Sequence, residues 1–128
     1  MAVRIVRLGT ARRRGEGLRI GTVRRPPRGV SKSQFATQNW FDVWLPELAP
    51  SARLVKLAQA ARTDHQWAAF RKSYRAEMAV PERSRLLSLL GAMSREANFS
   101  VGCYCADEAH CHRSVLRILL KEHGARLA

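Results

Sequence analysis

The chain has no apolar run near the roughly 20 residues that a membrane-spanning helix needs, so no such helix is expected. It also has no apolar segment of secretory type behind its first residues. A cytoplasmic protein with no membrane partner is therefore expected. An Arg-rich start suits a mitochondrial presequence, but Ala2 to Leu8 alternates as a strand does. Cysteine is scarce and odd in number. Three residues, with no secretory signal, argue against a disulfide framework. Acids are few as well: Asp+Glu number 10 against 23 Lys+Arg, for a net charge of +13. There is no internal repeat and no low-complexity tract beyond the Arg-rich start.

The charge is unevenly placed. Residues 1–28 hold nine arginines and one acid, Glu16. Such a surface attracts polyanions, whether nucleic acid, acidic membrane or phosphorylated small molecules, although a solvated basic surface needs no partner at all. With 128 residues and 46% hydrophobic composition, one core in one domain spanning 1–128 is expected.

Val3, Ile5, Val6 and Leu8 read as a first strand, and residues 9–17 as a polar, glycine-containing loop free to move. Leu18 to Val23 reads as a second strand. It runs into Arg24-Arg-Pro-Pro-Arg-Gly29, which cannot continue a sheet. Ser31 to Trp40 suits a helical turn, and the aromatic stretch Trp40 to Leu45 is expected to pack inward. Ser51 caps a helix over about 52–62 and Thr63 or Asp64 caps the next, whose stripe is Trp67, Phe70, Tyr74 and Met78. Pro81 opens a third helix, which Asn98 ends. Phe99 to Cys105 reads as a buried strand, and residues 113–123 as a last helix with Gly124 behind it. This order predicts an α/β fold, with a small, mainly parallel sheet flanked by several helices.

All three cysteines and two of the four histidines fall in Cys103-Tyr-Cys-Ala-Asp-Glu-Ala-His-Cys-His-Arg-Ser114, at a strand-to-helix junction. The C-x-C-x5-C spacing, with His110, Cys111 and His112 consecutive, differs from the separated pairs of structural zinc sites. No metal and no cofactor are expected. A phosphatase loop needs a cysteine six residues before Arg113, and that position is Asp107. Cys105, Cys111 and His112 are the candidates for thiol chemistry, because a helix N-terminus and a neighbouring imidazole both favour a thiolate. Arg113 and Ser114 on the first turn of the last helix suit an anion. The competing reading is that Cys103 and Cys105 are small core hydrophobes.

Arg24 and Arg28 form a second constellation, on a loop stiffened by Pro26 and Pro27. Their guanidinium forks match phosphate oxygens. Were the second strand a parallel neighbour of the strand before Cys105, both loops would share one crevice. Arg71 and Tyr74 are candidates for its wall.

Arg24 to Lys32, Trp44 to Ser51, Trp67 to Glu77 and the strand into Cys111-His-Arg-Ser114 together resemble the YeaO-like family of bacterial and archaeal proteins of unknown function. The resemblance spans roughly residues 3–120 and implies a compact single α/β domain with no established reaction. Pro26 stands where that family usually has Trp, and Val23 where it commonly has an acid. By analogy the resemblance implies a site at Arg24, Arg28, Cys111, His112 and Arg113.

The leading expectation is a protein that binds a phosphorylated or otherwise anionic small molecule at this sheet edge. A nucleic-acid-binding accessory protein using the Arg-rich N-terminal region is the alternative. A thiol-dependent enzyme and a structural interaction module complete the set.

Overall fold

The chain is described over residues 1–128 by a computed structural model. Four strands form one all-parallel sheet: β1 Val3–Arg7, β2 Leu18–Gly21, β3 Val43–Trp44 and β4 Phe99–Cys103. Their order is β1-β4-β2-β3, so the last strand in sequence fills the centre. β4 pairs with β1 from Val3↔Phe99 to Arg7↔Cys103 and with β2 from Leu18↔Phe99 to Gly21↔Gly102. All five β4 residues are buried, as a central parallel strand requires.

Four helices follow from the expected signals. α1 is Ala52–Ala60, with the Ser51 hydroxyl accepting from the Leu54 N–H. α2 is Asp64–Met78, opened by a reciprocal capping box between Thr63 and Gln66. α3 is Pro81–Met93, with Pro81 in its first turn, and α4 is His112–Glu122. None is long and apolar enough to cross a membrane. They cover one face of the sheet. Phe70, Tyr74, Leu87, Leu90, Val115, Leu116 and Leu120 pack there against Val3, Ile20, Phe99 and Val101.

The other face is covered by irregular chain. Residues 9–17 carry no regular element, yet they are fastened to the sheet. Glu16 and Arg19 form a buried ion pair at 2.8 Å, with side chains 2% and 1% exposed. Ser100 Oγ donates to the Glu16 carboxylate, and Arg19 Nη1 donates to the carbonyls of Thr10 and Asn39. Gly17, at φ 79°, lies so close to Asn98 that a Cβ there would stand 1.9 Å from its carbonyl oxygen. The segment therefore crosses the sheet in contact with backbone.

Several expectations need correction. The 40–45 stretch does not pack inward as a whole. Phe41 is buried, but Val43 and Trp44 are exposed as a short edge strand, and the Trp44 indole N–H satisfies the Val23 carbonyl. β2 stops at Gly21 and β4 at Cys103, which leaves Cys105 outside the sheet and exposed. α3 ends at Met93, before Asn98, whose side chain instead accepts from the Ala2 N–H.

Candidate functional site

A second, smaller core cluster sits at the carboxyl end of the sheet: Leu8, Val23, Phe41, Cys103 and Cys111. The strand ends of a parallel sheet and the N-terminus of α4 meet here, the usual place for a ligand crevice in such folds. The chain leaves β4 at Cys103, turns through a short helical segment at Glu108–His110, and enters α4 at His112. Asp107 caps that short segment through the Ala109 N–H rather than capping α4. The turn folds Cys111 back toward Cys103.

The cysteines form a cluster. The Cys103 thiol donates to Cys105 Sγ across 3.7 Å, and Cys111 lies in side-chain contact with both. Cys103 and Cys111 are buried, whereas Cys105 is exposed. Hydrogen bonding from Cys103 and then from Cys111 stabilises a Cys105 thiolate, and the Arg113 charge adds to this against the opposing effect of partial burial. The group is held at about 3. The same bonds fix the proton on Cys103 and push that thiol up. Cys105 is thus the one sulfur both ionised at neutral pH and open to solvent.

His112 is buried and oriented. Its Nε2 lies 2.8 Å from the Thr22 carbonyl oxygen, which can only accept, so Nε2 carries the hydrogen. Nδ1 then faces Cys111 Sγ at 3.7 Å. The Tyr74 ring stacks edge-on at 5.3 Å and holds the imidazole from below. Tyr74 is fully buried and its hydroxyl donates to the Leu48 carbonyl at 2.6 Å, so it serves as floor and not as an exposed wall. Arg71 is half-buried on the same helix.

Arg113 is 4% exposed. One of its Nη atoms donates to the Cys105 carbonyl at 2.6 Å, while its buried Nε has no hydrogen-bond partner in the protein. A buried, unsatisfied guanidinium donor is costly and calls for an acceptor. Ser114 donates its hydroxyl to the Cys111 carbonyl.

The structure brings the two sequence-predicted loops side by side. The Tyr104 hydroxyl donates to the Arg25 carbonyl at 2.9 Å, and Thr22, at the end of β2, holds His112. Arg24, however, turns away. Its guanidinium donates to the carbonyls of Pro50 and Ala49 and so ties the loop to the chain before α1. Arg25 and Arg28 remain exposed.

Two residues of the site lay outside the sequence reading, and a third was read too narrowly. Thr22 acts through its carbonyl, which no side-chain motif reveals. Tyr104 joins the two loops. Cys103 belongs to the thiol cluster and not only to the core. The donor atoms of Cys103, Cys111 and His112 all lie within 4.8 Å of one another, although the C-x-C-x5-C spacing had argued against such a convergence. That set could meet a soft cation. Its packing among Leu8, Val23 and Phe41 equally suits a thiol network.

A family model described as DUF488-N3a, the active DUF488-N3 subclade, matches residues 3–124. YeaO-like proteins fall within the DUF488 family, so the resemblance read from the four motifs holds at that level. No curated protein and no solved structure matches the chain.

Proposed function

The chain belongs to the DUF488-N3a family, and from that premise we propose that it binds a small anionic molecule at the carboxyl edge of the sheet and acts on it through the Cys105 thiolate. One observation carries the reading. An accessible, ionised Cys105 sits beside Arg113, a buried cation whose Nε lacks an acceptor. Arg113 and the first N–H groups of α4 would bind the anionic group of the substrate. Cys105 Sγ would attack an electrophilic centre next to it and form a transient covalent adduct. His112, held by Thr22, is the proton-transfer partner on the Cys111 side of the cluster. Arg24 is left out of ligand contact, because its Nε and Nη2 already serve backbone carbonyls and hold it toward the chain before α1. Exposed Arg25 and Arg28 would steer the anion inward.

The test uses iodoacetamide as the electrophile and inorganic phosphate as the anion. Cys105 should alkylate fastest of the three cysteines, and millimolar phosphate should slow it in the wild type but not in Arg113→Gln. Equal rates at all three sulfurs, or no effect of phosphate, would sink the proposal.

A nucleic-acid role keeps one structural support. Arg4, Arg7, Arg13 and Arg117 line an open cleft of about 500 Å³ along the β1 edge. Arg12 does not join them, being paired with Asp42 at 2.7 Å.

A further inference from the structure

The most concentrated chemistry in the molecule is three sulfurs in mutual contact, which is more than a single nucleophile requires. We propose that Cys105 is a site of reversible oxidation by hydroperoxides, and that Cys111 resolves it as an intramolecular Cys105–Cys111 disulfide. The inference rests on the same reading of Cys105 as the accessible nucleophile.

The steps balance as follows. Cys105 Sγ attacks the outer oxygen of the hydroperoxide. An S–O bond forms, the O–O bond breaks, and the departing alkoxide takes a proton to become an alcohol. Cys105 is then a sulfenic acid. Cys111 Sγ next attacks the Cys105 sulfur. An S–S bond forms, the S–O bond breaks, and hydroxide leaves as water with the proton released by Cys111. Two thiols are oxidised by two electrons in all, and the hydroperoxide is reduced by the same number.

One feature selects Cys111 over Cys103 as the resolving sulfur. Cys111 has a proton acceptor at hand, His112 Nδ1 at 3.7 Å, with the other ring nitrogen anchored on Thr22. Cys103 has no such acceptor beside it and donates only to the other two sulfurs. The exposure gradient agrees: oxidant reaches Cys105 from solvent, and the resolving sulfur waits in the cluster behind it. Arg113 holds the Cys105 carbonyl, so the loop keeps the two sulfurs together during the reaction.

The full-length wild-type protein is treated with one equivalent of hydrogen peroxide, blocked with N-ethylmaleimide, digested without reductant and mapped by mass spectrometry. The expected product joins the Cys105 and Cys111 peptides, leaves Cys103 blocked, and disappears on dithiothreitol. Cys103→Ser should still form it. Cys111→Ser should stop at a sulfenic acid that dimedone traps. A Cys103–Cys105 bond, overoxidised Cys105 or bonds between chains would overturn the proposal, as would three thiols left free. The wild-type map decides the matter even if a variant fails to fold. Iodoacetamide run in parallel separates the two readings. Fast Cys105 alkylation without the disulfide removes only the oxidation site, whereas slow alkylation removes the nucleophile itself.

Discussion

Replacing Glu16 with alanine should be among the most damaging single changes on the loop-covered face of the sheet. The Arg19 side chain is 1% exposed, and two of its nitrogens, Nε and Nη2, donate to the Glu16 carboxylate at 2.8 and 3.1 Å. The alanine variant leaves that guanidinium buried without its hydrogen-bonded counter-charge. It also strips the acceptor from Ser100 Oγ and from the Arg13 N–H. Breaking a buried pair from one side costs about 3–5 kcal/mol. Protonation leads to a similar figure. Burial alone would raise the Glu16 carboxyl, but the Arg19, Ser100 and Arg13 hydrogen bonds outweigh it and hold the group at about 2. Against an unfolded value near 4.3, that depression corresponds to about 3 kcal/mol. Because the folded value is the lower one, this stability is present above about pH 4.5 and is lost as pH falls toward 2. In denaturant melts at pH 7, Glu16→Ala should lose about 3–5 kcal/mol with an unchanged slope, and about 10–20 °C in Tm. Its stability should also fall less steeply than the wild type's between pH 4.5 and 2. Arg12→Ala, which breaks a partly exposed pair with Asp42, should cost about 1 kcal/mol or less. A loss below about 1 kcal/mol for Glu16→Ala would refute the claim that this pair fastens the 9–17 segment to the sheet.

Tyr74→Phe should cost about 1–3 kcal/mol by calorimetry, since it leaves the Leu48 carbonyl buried without its donor. Gly17→Ala meets both a positive φ and the Asn98 carbonyl, and should destabilise by more than Gly15→Ala, whose added Cβ meets nothing. Metal analysis of freshly purified protein should give zinc well below one equivalent if Cys103, Cys111 and His112 work as a thiol network, and a ratio near one would reassign them as ligands. Any affinity for single-stranded nucleic acid should fall with salt, and Arg4→Gln with Arg13→Gln should reduce the logarithmic slope by about 1.4.

Much of the frame was legible because it depends on local signals. Ser51, Thr63 and Pro81 each mark a helix start, and the Trp67–Phe70–Tyr74–Met78 stripe gave α2 its buried side. The mainly parallel sheet followed from strand, helices, strand and helix in series. What escaped was long-range. Glu16 stood out as the only acid among the first 28 residues, yet nothing local says that it meets Arg19 and Ser100 inside the molecule. Arg24 looked like a ligand group because arginine in a Pro-Gly loop suits phosphate. In the fold its Nε and Nη2 bond backbone carbonyls 26 and 25 residues away, which carry no sequence signature. Trp44 seemed a core residue from its hydrophobicity, but the sheet ends there and exposes it. In the site, the run from Cys103 to Ser114 pointed to the right place. The division of labour within it depends on a turn whose geometry only the fold supplies: Cys105 outside, Cys103 and Cys111 inside, His112 locked on Thr22.

The most direct test of this site is the pH dependence of Cys105 alkylation in the wild-type protein, followed by peptide mapping from pH 3 to 9. Hydrogen bonding from Cys103 and Cys111, helped by the Arg113 charge, holds the Cys105 thiol at about 3. Its rate should therefore stay on a plateau from pH 9 down to about 5 and fall only below that. A rate that drops tenfold per unit below about 8.5, as for an ordinary thiol, would contradict the reading of Cys105 as a resident thiolate.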